Sequence, residues 1–531
     1  METPILLPDV RRLSPFVACR IIVLLSILVG LIMAQGVQGQ ASAGRPNIVV
    51  IMADDLDVPT LQVALARNLM PHLQSHIVAR AHAFGNSFVT NSLCCPSRAT
   101  FLTGQYTHNH RTLTNFSPTG GITAFDDRST IATWLQGGGY RTGYVGKYLN
   151  GYGQYVDVNR DGLINTKDRT YVPPGWNDWQ ALLDPGTYQM YGYRINDNGV
   201  HVSYGYASTD YQTDVLAKRA EEFIRESAAG FTDKPFFLYV SPLAPHDEIG
   251  LFTSSSRYSD VWRWRIQPAQ RHAGSVSASL PLLPSFNEAD VLDKPPWVQQ
   301  WPLLTSTDIF YKQWKERSRL AAMRSFDDMI GVVVNALRET RRLDNTVLVF
   351  TSDNGWHFGE HRLGGKMTAY EETIRVPLFI AFPQAATSRT IDKVVLNNDL
   401  APTFAEIGQV MPGIPVDGRS LLPLVNDPSQ PWRKRFLIEH YKSIDHMMEI
   451  PTYAAIRTAV IDTETPNQLW VEYEDAARSR EYYDLSIDPS QMESLHNDPS
   501  PLRGTQRAIL QQRLAALKSC GGGTCQTLES D

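Results

Sequence analysis

Three uninterrupted apolar runs constrain the fold of this chain more than any other feature. They are "NIVVIMA" (Asn47–Ala53), "PFFLYVSPL" (Pro235–Leu243) and "NTVLVFTS" (Asn345–Ser352). None alternates apolar with polar residues, so each is typical of a strand that a parallel sheet buries on both faces. Between them lie segments with apolar residues at helical spacing, such as "DYQTDVLAKRAEEFIRES" and "SRLAAMRSFDDMIGVVVNALRETRRL". Strands that alternate with helices predict an α/β fold.

The pattern changes towards the C-terminus. After "LPLVNDPSQPWRK" come three short strand-like segments, "RFLIEHY", "YAAIRTAVI" and "QLWVEY", and a last helical one, "RGTQRAILQQRLAALK". We therefore expect a large α/β domain over residues 44–425 and a small α+β domain over residues 426–531, with a short antiparallel sheet and a helix.

The first 43 residues are typical of a secretory signal peptide. Three arginines precede the uncharged run Ile21–Ala34, and "ASA" at residues 41–43 offers a cleavage site. The run has 14 residues, and a spanning helix needs about 20, so we expect no stable membrane insertion and a secreted or periplasmic protein. The only sequon noted, at Asn115, is followed by Pro118, which slightly favours a bacterial exporter. A net charge of −6 argues against a nucleic-acid partner.

Polar residues follow each of the three apolar runs. Asp54 and Asp55 come after the first, His246 follows the second after a short loop, and Asp353 with Asn354 come after the third. In open α/β sheets, sites form beyond the carboxyl ends of the strands. Carboxylate and amide oxygens suit Ca²⁺ or Mg²⁺ better than zinc. The alternative for either pair alone is ordinary loop capping.

Cys19 belongs to the predicted signal peptide, and the other four cysteines form two pairs. Cys520 and Cys525 can close a small loop, and in an exported chain they are expected to form a disulfide. Cys94 and Cys95 are adjacent, which suits disulfide geometry poorly. Pro96 favours a helix start, so Cys94 precedes a helix N-terminus that attracts anions, and Arg98 lies on the first turn. A low-pKa redox cysteine and a buried inert one remain alternatives.

Here the sequence resembles a known family. "CCPSRA" followed by Thr103-Gly104 is similar to the signature of the type I sulfatases, in which the first cysteine is oxidised to formylglycine. "NIVVIMADDLD", "GGGYRTGYVGKYLNGYG", "PLAPHDE", "TSDNGWHFGEHRLGGKMTAYEETIRVPL" and "EYYDLSIDPSQMESLHNDP" resemble further family segments in the family's order. The resemblance implies an alkaline-phosphatase-like fold with a large, mixed but mostly parallel sheet flanked by helices.

The resemblance also implies a mechanism and its residues. The expected Ca²⁺ ligands are Asp54, Asp55, Cys94, Asp353 and Asn354, and the expected catalytic residues are Cys94, Arg98, Lys147, His246 and Lys366. One hydroxyl of the hydrated formylglycine would attack sulfur and release the alcohol. The second would then lose its proton, so that the aldehyde re-forms and sulfate leaves. A formylglycine-generating enzyme is the implied maturation partner.

One position departs from the family pattern. Many sulfatases have a histidine two residues after the motif lysine, whereas this chain has Leu149, so Asn150 is a candidate replacement. "GKYLN", "YTHNH", "STDYQTDVLA" and "TSDNGWH" are most similar to the N-acetylglucosamine-6-sulfatase and arylsulfatase branch. A sulfated carbohydrate or an aryl sulfate is the implied substrate. His108, His110 and His357 are then candidates for substrate contacts, although a lone histidine is more often structural.

A second calcium site is predicted in "DVNRDGLINTKD". The loop follows EF-hand spacing, with Leu163 offering its backbone carbonyl and aspartate at the last position. Its expected ligands are Asp157, Asn159, Asp161, Leu163, Asn165 and Asp168. A polar turn is the alternative.

Two other functions stay open from the sequence. A phosphonate or phosphodiester hydrolase on the same fold would use the same nucleophile and cationic residues. A non-catalytic, calcium-stabilised carbohydrate binder would leave Cys94 unconverted.

Overall fold

The computed structural model describes residues 44–154, 170–249, 265–383, 388–443 and 449–531. The predicted signal peptide and the EF-hand-like loop at residues 157–168 lie outside these ranges. The described residues from Arg45 onward belong to one compact unit. Within the described ranges, no helix combines the length and apolar character needed to cross a bilayer.

A ten-stranded sheet forms the centre of the protein. Its strands are β1 Asn47–Ala53, β2 His82–Phe88, β3 Arg141–Gly146, β4 Asp178–Leu182, β5 Arg194–Asp197, β6 Val200–Ser203, β7 Phe236–Ser241, β8 Thr346–Ser352, β9 Leu378–Ala381 and β10 Arg389–Leu396. Their order is β10-β2-β9-β8-β1-β7-β3-β4-β5-β6. The run from β8 to β4 is parallel, and β9, β5 and β6 add antiparallel pairs. The predicted mixed, mostly parallel α/β sheet is therefore confirmed.

Helices lie in the connections between the strands. They are α1 Val58–Ala66, α2 Pro71–His76, α3 Cys94–Thr103, α4 Thr107–His110, α5 Gly121–Ala124, α6 Ile131–Gly137, α7 Gln212–Gly230, α8 Pro296–Gln299, α9 Ser306–Glu339, α10 Glu371–Ile374, α11 Leu400–Ile407, α12 Leu422–Asn426, α13 Pro501–Leu517 and α14 Gly523–Ser530. Helix α9 begins 12 residues before the predicted segment, because a capping box between Thr305 and Asp308 starts it there.

Strand β1 shows why the apolar runs do not alternate. Val49 and Ile51 belong to the apolar core on one face of the sheet, and Ile48 and Val50 belong to the core on the other face. All four side chains are fully buried. Burial of each such side chain contributes roughly 1.5–3 kcal/mol to folding, which accounts for an apolar residue at every position.

The C-terminal part forms a second, smaller sheet. Its strands, β11 Arg435–His440, β12 Tyr453–Thr458, β13 Gln468–Tyr473 and β14 Arg480–Asp484, pair in sequence order and antiparallel. Its core also contains Phe88 and Leu363 from the large-sheet region. The short antiparallel sheet predicted after residue 426 is thus present, and its apolar core includes residues from the large-sheet region.

The C-terminal helix is fixed by a buried ionic network. Arg433 donates to both oxygens of Asp399, with Nη2 at 2.7 Å from Oδ1, and its Nε lies 3.0 Å from Glu529 Oε2. All three side chains are fully buried. A disulfide between Cys520 and Cys525, the pair expected from the sequence, joins the first turn of helix α14 to the residues that follow helix α13.

Arg433→Ala should therefore destabilise the protein strongly. The substitution leaves the Asp399 and Glu529 carboxylates buried without their shared cation, and breaking a buried pair in this way costs about 3–5 kcal/mol. Urea unfolding measures the free energy, with the neighbouring Lys434→Ala as the control expected to stay within about 0.5 kcal/mol of the parent protein. A loss below about 1 kcal/mol for Arg433→Ala would contradict the assignment.

Candidate active site

The two acidic pairs predicted from the sequence meet at one edge of the sheet. Strands β1 and β8 are parallel neighbours in register from Asn47–Thr346 to Ala53–Ser352, so the residues that follow them lie side by side. The Asp55 amide donates to Asp353 Oδ1 at 3.0 Å, and Asn354 Nδ2 donates to Asp55 Oδ1 at 2.6 Å. Asp54, Asp55, Asp353 and Asn354 are all fully buried.

Cys94 lies against these carboxylates at the start of helix α3. Its Sγ is 2.7 Å from Lys366 Nζ, 3.5 Å from Lys147 Nζ and 3.8 Å from Asp54 Oδ1. The side chain is 1% exposed. The structure therefore brings together the predicted nucleophile and both predicted lysines.

The two lysines also pair with the acidic residues. Lys147 Nζ lies 2.5 Å from Asp54 Oδ2, and Lys366 Nζ donates to Asp55 Oδ1. Burial raises the pKa of Asp54, but Lys147, His246 and Arg98 outweigh it and lower this pKa to about 2. Burial alone would lower the pKa of both lysines. The negative charge of Asp54 beside Lys147, and that of Asp55 beside Lys366, outweighs burial and raises each lysine pKa above its usual value. At neutral pH Asp54 is therefore negatively charged and both lysines are positively charged.

Arg98 supports the cluster from behind. Its Nε donates to Asp353 Oδ2 at 2.9 Å, and its Nη1 donates to the Lys147 carbonyl at 2.8 Å and to Ser241 Oγ at 2.7 Å. The guanidinium is also 3.6 Å from Asp54 Oδ2. In this structure Arg98 positions the carboxylates and the Lys147 backbone, and the catalytic role expected for it from the sequence stays a prediction.

His246 completes the group from the loop after β7. Its Nε2 lies 3.5 Å from Asp55 Oδ2, and its Nδ1 is 2.6 Å from the Asp247 carbonyl. The Asp247 contact requires Nδ1 to carry the proton, which leaves Nε2 as an acceptor in the neutral ring. Arg319 fixes the loop, donating to the Pro245 carbonyl at 2.9 Å and also to the Asp55 carbonyl. Burial lowers the pKa of His246 despite Asp55 and Asp54.

The donor set fits a hard divalent cation. One ligand atom from each of Asp54, Asp55, Cys94 and His246 lies within 4.8 Å of the others. Asp55 Oδ2 is buried and has no hydrogen-bond partner among the described residues. The adjoining Asp353 and Asn354 add a carboxylate and an amide. This many oxygens at one buried point is the chemistry that Ca²⁺ and Mg²⁺ require.

The encoded thiol does not resemble a redox cysteine. Burial raises the pKa of Cys94 to about 11, although Lys147 and Lys366 lower it. A thiol with that pKa is protonated at neutral pH and is a weak nucleophile. The low-pKa redox alternative is therefore disfavoured for Cys94.

Asn150 and Tyr188 are hydrogen-bonded to each other beside Lys147. Asn150 Nδ2 donates to Tyr188 Oη at 2.6 Å, and its backbone amide donates to Cys95 Sγ at 2.9 Å. The Tyr188 ring lies 4.9 Å from Lys147 Nζ and 5.3 Å, centre to centre, from the His246 ring. Sequence reasoning missed Tyr188 because no motif surrounds it. Leu149 is buried in the apolar core.

The three candidate substrate histidines have structural contacts instead. His108 Nδ1 is 3.0 Å from Glu439 Oε1 and its Nε2 is 2.9 Å from the Cys520 carbonyl. His110 Nε2 lies 3.0 Å from Thr100 Oγ1, and His357 Nε2 lies 2.9 Å from Thr368 Oγ1. Burial lowers the pKa of His110 to about 3, so its ring stays neutral. All three rings therefore have contacts inside the protein, and their contact with a substrate stays a prediction.

Comparison with known proteins identifies the family. The family model described as Sulfatase matches residues 46–410, which contain every residue of this cluster. The chain belongs to the sulfatase family. A second model, described as N-sulphoglucosamine sulphohydrolase, C-terminal, matches residues 359–519 of this sulfatase.

Curated relatives agree with this assignment. The sulfatase is 33% identical to an arylsulfatase of Volvox carteri, over 91% of this chain and 76% of the relative. It is 30% identical to the human N-acetylglucosamine-6-sulfatase, over 97% of this chain and 92% of the relative. It is 34% identical to the extracellular sulfatase SULF-1 homolog of Drosophila melanogaster, of which it spans a third.

Solved structures share the fold. A protein in complex with its substrate D-glucosamine-2-N,6-O-disulfate has a TM-score of 0.71 at 22% identity, over 92% of this sulfatase and 99% of that chain. The phosphonate monoester hydrolase of Silicibacter pomeroyi has a TM-score of 0.65 at 21% identity, over 90% and 96%. The fold is thus shared with a protein whose substrate is a sulfated sugar and with a phosphonate monoester hydrolase.

Gly146→Ala should disable the site. Gly146 ends β3 with φ 122°, and an added Cβ would lie 2.0 Å from the Ser241 carbonyl oxygen, which accepts the Lys147 amide. Relieving that overlap must displace Lys147, and misplaced catalytic groups typically cost about a hundredfold in rate. Sulfate release from a sulfate ester measures the loss.

Gly137→Ala is the matched control. Gly137 is the last residue of helix α6, and an added Cβ meets nothing within 4 Å. Its activity and stability should stay close to those of the parent enzyme. Unchanged activity in Gly146→Ala would contradict the role given to the β3 terminus.

Proposed function

We propose that this protein is an exported, calcium-dependent sulfatase that removes sulfate from 6-sulfated N-acetylglucosamine-type sugars, using formylglycine at position 94. The observation that carries the proposal is the contact of Cys94 with Lys147, Lys366 and Asp54. A buried, protonated thiol has no evident use among those charges, whereas an oxygen nucleophile beside a metal would use all of them.

The surrounding residues would hold the cation and the substrate's sulfate. Asp54, Asp55, Asp353 and Asn354 are the proposed ligands, with residue 94 as a further one. Calcium bound there would supply Lewis-acid polarisation of the nucleophile and the sulfate. Lys147 and Lys366 would then pair with sulfate oxygens rather than with Asp54 and Asp55. Preorganised cations of this kind typically contribute about a hundredfold or more in rate each.

Each step has a group placed to assist it. Formylglycine hydrated by one water would supply a hydroxyl that bonds to sulfur while the ester S–O bond breaks, and the second hydroxyl of the hydrate would later lose a proton and expel sulfate as the aldehyde re-forms. The leaving alcohol oxygen needs a proton. His246, protonated in the enzyme–substrate complex, or Lys366 would donate it, since both lie at the cluster.

The sugar assignment is supported by the relatives. The human and goat relatives named N-acetylglucosamine-6-sulfatase match over more than nine tenths of this chain at 30% identity. A structural neighbour holds a 6-O-sulfated glucosamine. Export is supported by the leader-like N-terminal sequence, and the relatives include extracellular sulfatases.

Conversion of Cys94 is tested by mass spectrometry and turnover together. In protein made with a formylglycine-generating enzyme, the peptide containing residue 94 should carry the aldehyde, and N-acetylglucosamine-6-sulfate should be desulfated. Cys94→Ser should release no sulfate, because a serine sulfate cannot re-form an aldehyde. Cys95→Ser should retain activity, because its hydroxyl can keep the contact with Asn150. Full activity of Cys94→Ser, or faster cleavage of a phosphonate ester than of the sulfated sugar, would reject the proposal.

Calcium dependence is tested by chelation. Treatment with EDTA should abolish sulfate release, and added Ca²⁺ should restore it. Asp353→Asn should weaken Ca²⁺ binding measured by calorimetry, because it removes one anionic ligand. Retained activity in metal-free enzyme would contradict the proposed ligand set.

A second, structural Ca²⁺ in residues 157–168 is also proposed, on the EF-hand spacing of the sequence. The double variant Asp157→Ala/Asp161→Ala should bind one fewer calcium ion in the same calorimetric measurement. An unchanged stoichiometry would reject this second site.

A further inference from the structure

A wide groove lies beside the cluster and has no part in the reaction described above. Its volume is 990 Å³, which is at the upper end of ligand-binding cavities. Its walls come from helix α9, from the loop after β7 and from the segments near residues 189–208 and 265–276. The side chains that define it are Tyr191, Tyr206, Glu248, Arg265, Trp314 and Arg317.

Helix α9 connects the groove to the active site. Trp314, Arg317, Ser318 and Ala321 face the groove, and their i, i+3, i+4, i+7 spacing places them on one stripe of the helix. The adjacent stripe faces the catalytic loop, where Lys315 Nζ is 2.7 Å from Asp247 Oδ2 and Arg319 holds Pro245. The groove therefore begins next to the loop that carries His246.

The groove contains a cationic aromatic pair. The Arg265 guanidinium lies 3.9 Å above the centre of the Trp314 ring, and its Nη1 donates to Ser318 Oγ at 3.1 Å. Arg265 is exposed, and a guanidinium has five N–H donors. Arg317 donates to Ser279 Oγ at 2.8 Å. Two planar cations in one groove suit the paired oxygens of sulfate or carboxylate groups.

The tyrosines provide flat surfaces for sugar rings. Tyr206 is 83% exposed, yet its hydroxyl end packs on Gly192, where an added Cβ would lie 2.4 Å from Oη. A large, rigid aromatic side chain held in solvent is typical of a binding surface. Tyr191 lines the same groove.

Glu248 is the acidic residue in the lining, and its contacts are internal. Its carboxylate accepts the Met190 amide at 2.7 Å and the Gln267 amide at 3.0 Å. It thereby links two of the segments that line the groove. Among the described residues that line the groove, the remaining charges are those of Arg265 and Arg317.

We propose that this groove binds the sugar units of a sulfated glycan chain that adjoin the unit undergoing desulfation. Arg265 and Arg317 face the anionic groups of those units, and Trp314 and Tyr206 pack against their rings. The inference rests on the proposed sugar sulfatase activity and deepens it, because it makes an oligosaccharide the preferred substrate over a monosaccharide.

Steady-state kinetics on two substrates test the groove. The probes are N-acetylglucosamine-6-sulfate and a heparin-derived hexasaccharide with 6-O-sulfate groups, both with converted enzyme. Arg265→Ala and Trp314→Ala should each raise the KM for the hexasaccharide about tenfold, the size of one lost charge-assisted contact. The monosaccharide KM and kcat should not change. Higher salt should weaken hexasaccharide binding less in Arg265→Ala than in the parent enzyme.

Two variants control for indirect effects. Arg338→Ala removes an exposed arginine from the same helix, about 30 Å further along at 1.5 Å per residue, and should leave both KM values unchanged. Trp314→Phe should restore most of the hexasaccharide affinity, because it keeps an aromatic surface. An unchanged hexasaccharide KM, or an equal rise for both substrates, would overturn the groove proposal.

Direct binding separates this proposal from the proposed reaction. If the parent enzyme desulfates neither sugar, the proposed function fails, and calorimetry with the same hexasaccharide still tests the groove. Weaker binding to Arg265→Ala than to the parent and Arg338→Ala would support it. Equal dissociation constants in all three proteins would reject it.

Discussion

The active site depends on one electrostatic balance at the carboxyl edge of the sheet. Three buried carboxylates share a small volume, and an isolated buried charge is very costly. Lys147, Lys366 and Arg98 offset that cost, with Lys147 paired to Asp54 and Arg98 paired to Asp353. Lys147 and Lys366 also contact Cys94, so two of the groups that stabilise the folded site are the ones that the proposed substrate binding would redirect.

Strand order creates this balance from distant parts of the sequence. Strands β8, β1, β7 and β3 are parallel neighbours, and the residues after them are Asp353, Asp54, His246 and Lys147. Each strand therefore delivers one or two polar groups to the same edge. The contact between Asp55 and Asp353 joins residues 298 positions apart, which local structure alone could not bring together. Gly146, at the end of β3, has no room for a side chain against the Ser241 carbonyl. This close packing fixes the backbone position of the next residue, Lys147.

Much of this could be predicted from the sequence, because buried parallel strands leave a clear apolar signature. The predicted β1 coincides with the strand in the structure, and the polar residues that follow the three runs do converge. Positions without such a signature were missed. Tyr188 enters the site through a tertiary contact that its neighbours in sequence do not indicate. His108, His110 and His357 show the reverse, since the residue type suggested chemistry, whereas burial and hydrogen bonding give them structural contacts. The groove also depends on segments that meet only in the folded chain.

The burial of Cys94 limits the time at which another enzyme could modify this residue. A side chain that is 1% exposed and enclosed by Asp54, Lys147 and Lys366 offers no access to another enzyme's catalytic groups. An enzyme that converts Cys94 as proposed would therefore have to act before the chain folds, so modification would compete with folding. A molecule that folds first would keep the Cys94 thiol, and this thiol could be modified later only after the protein unfolds. The specific activity of a purified sample would then depend on the fraction of molecules that were modified before they folded.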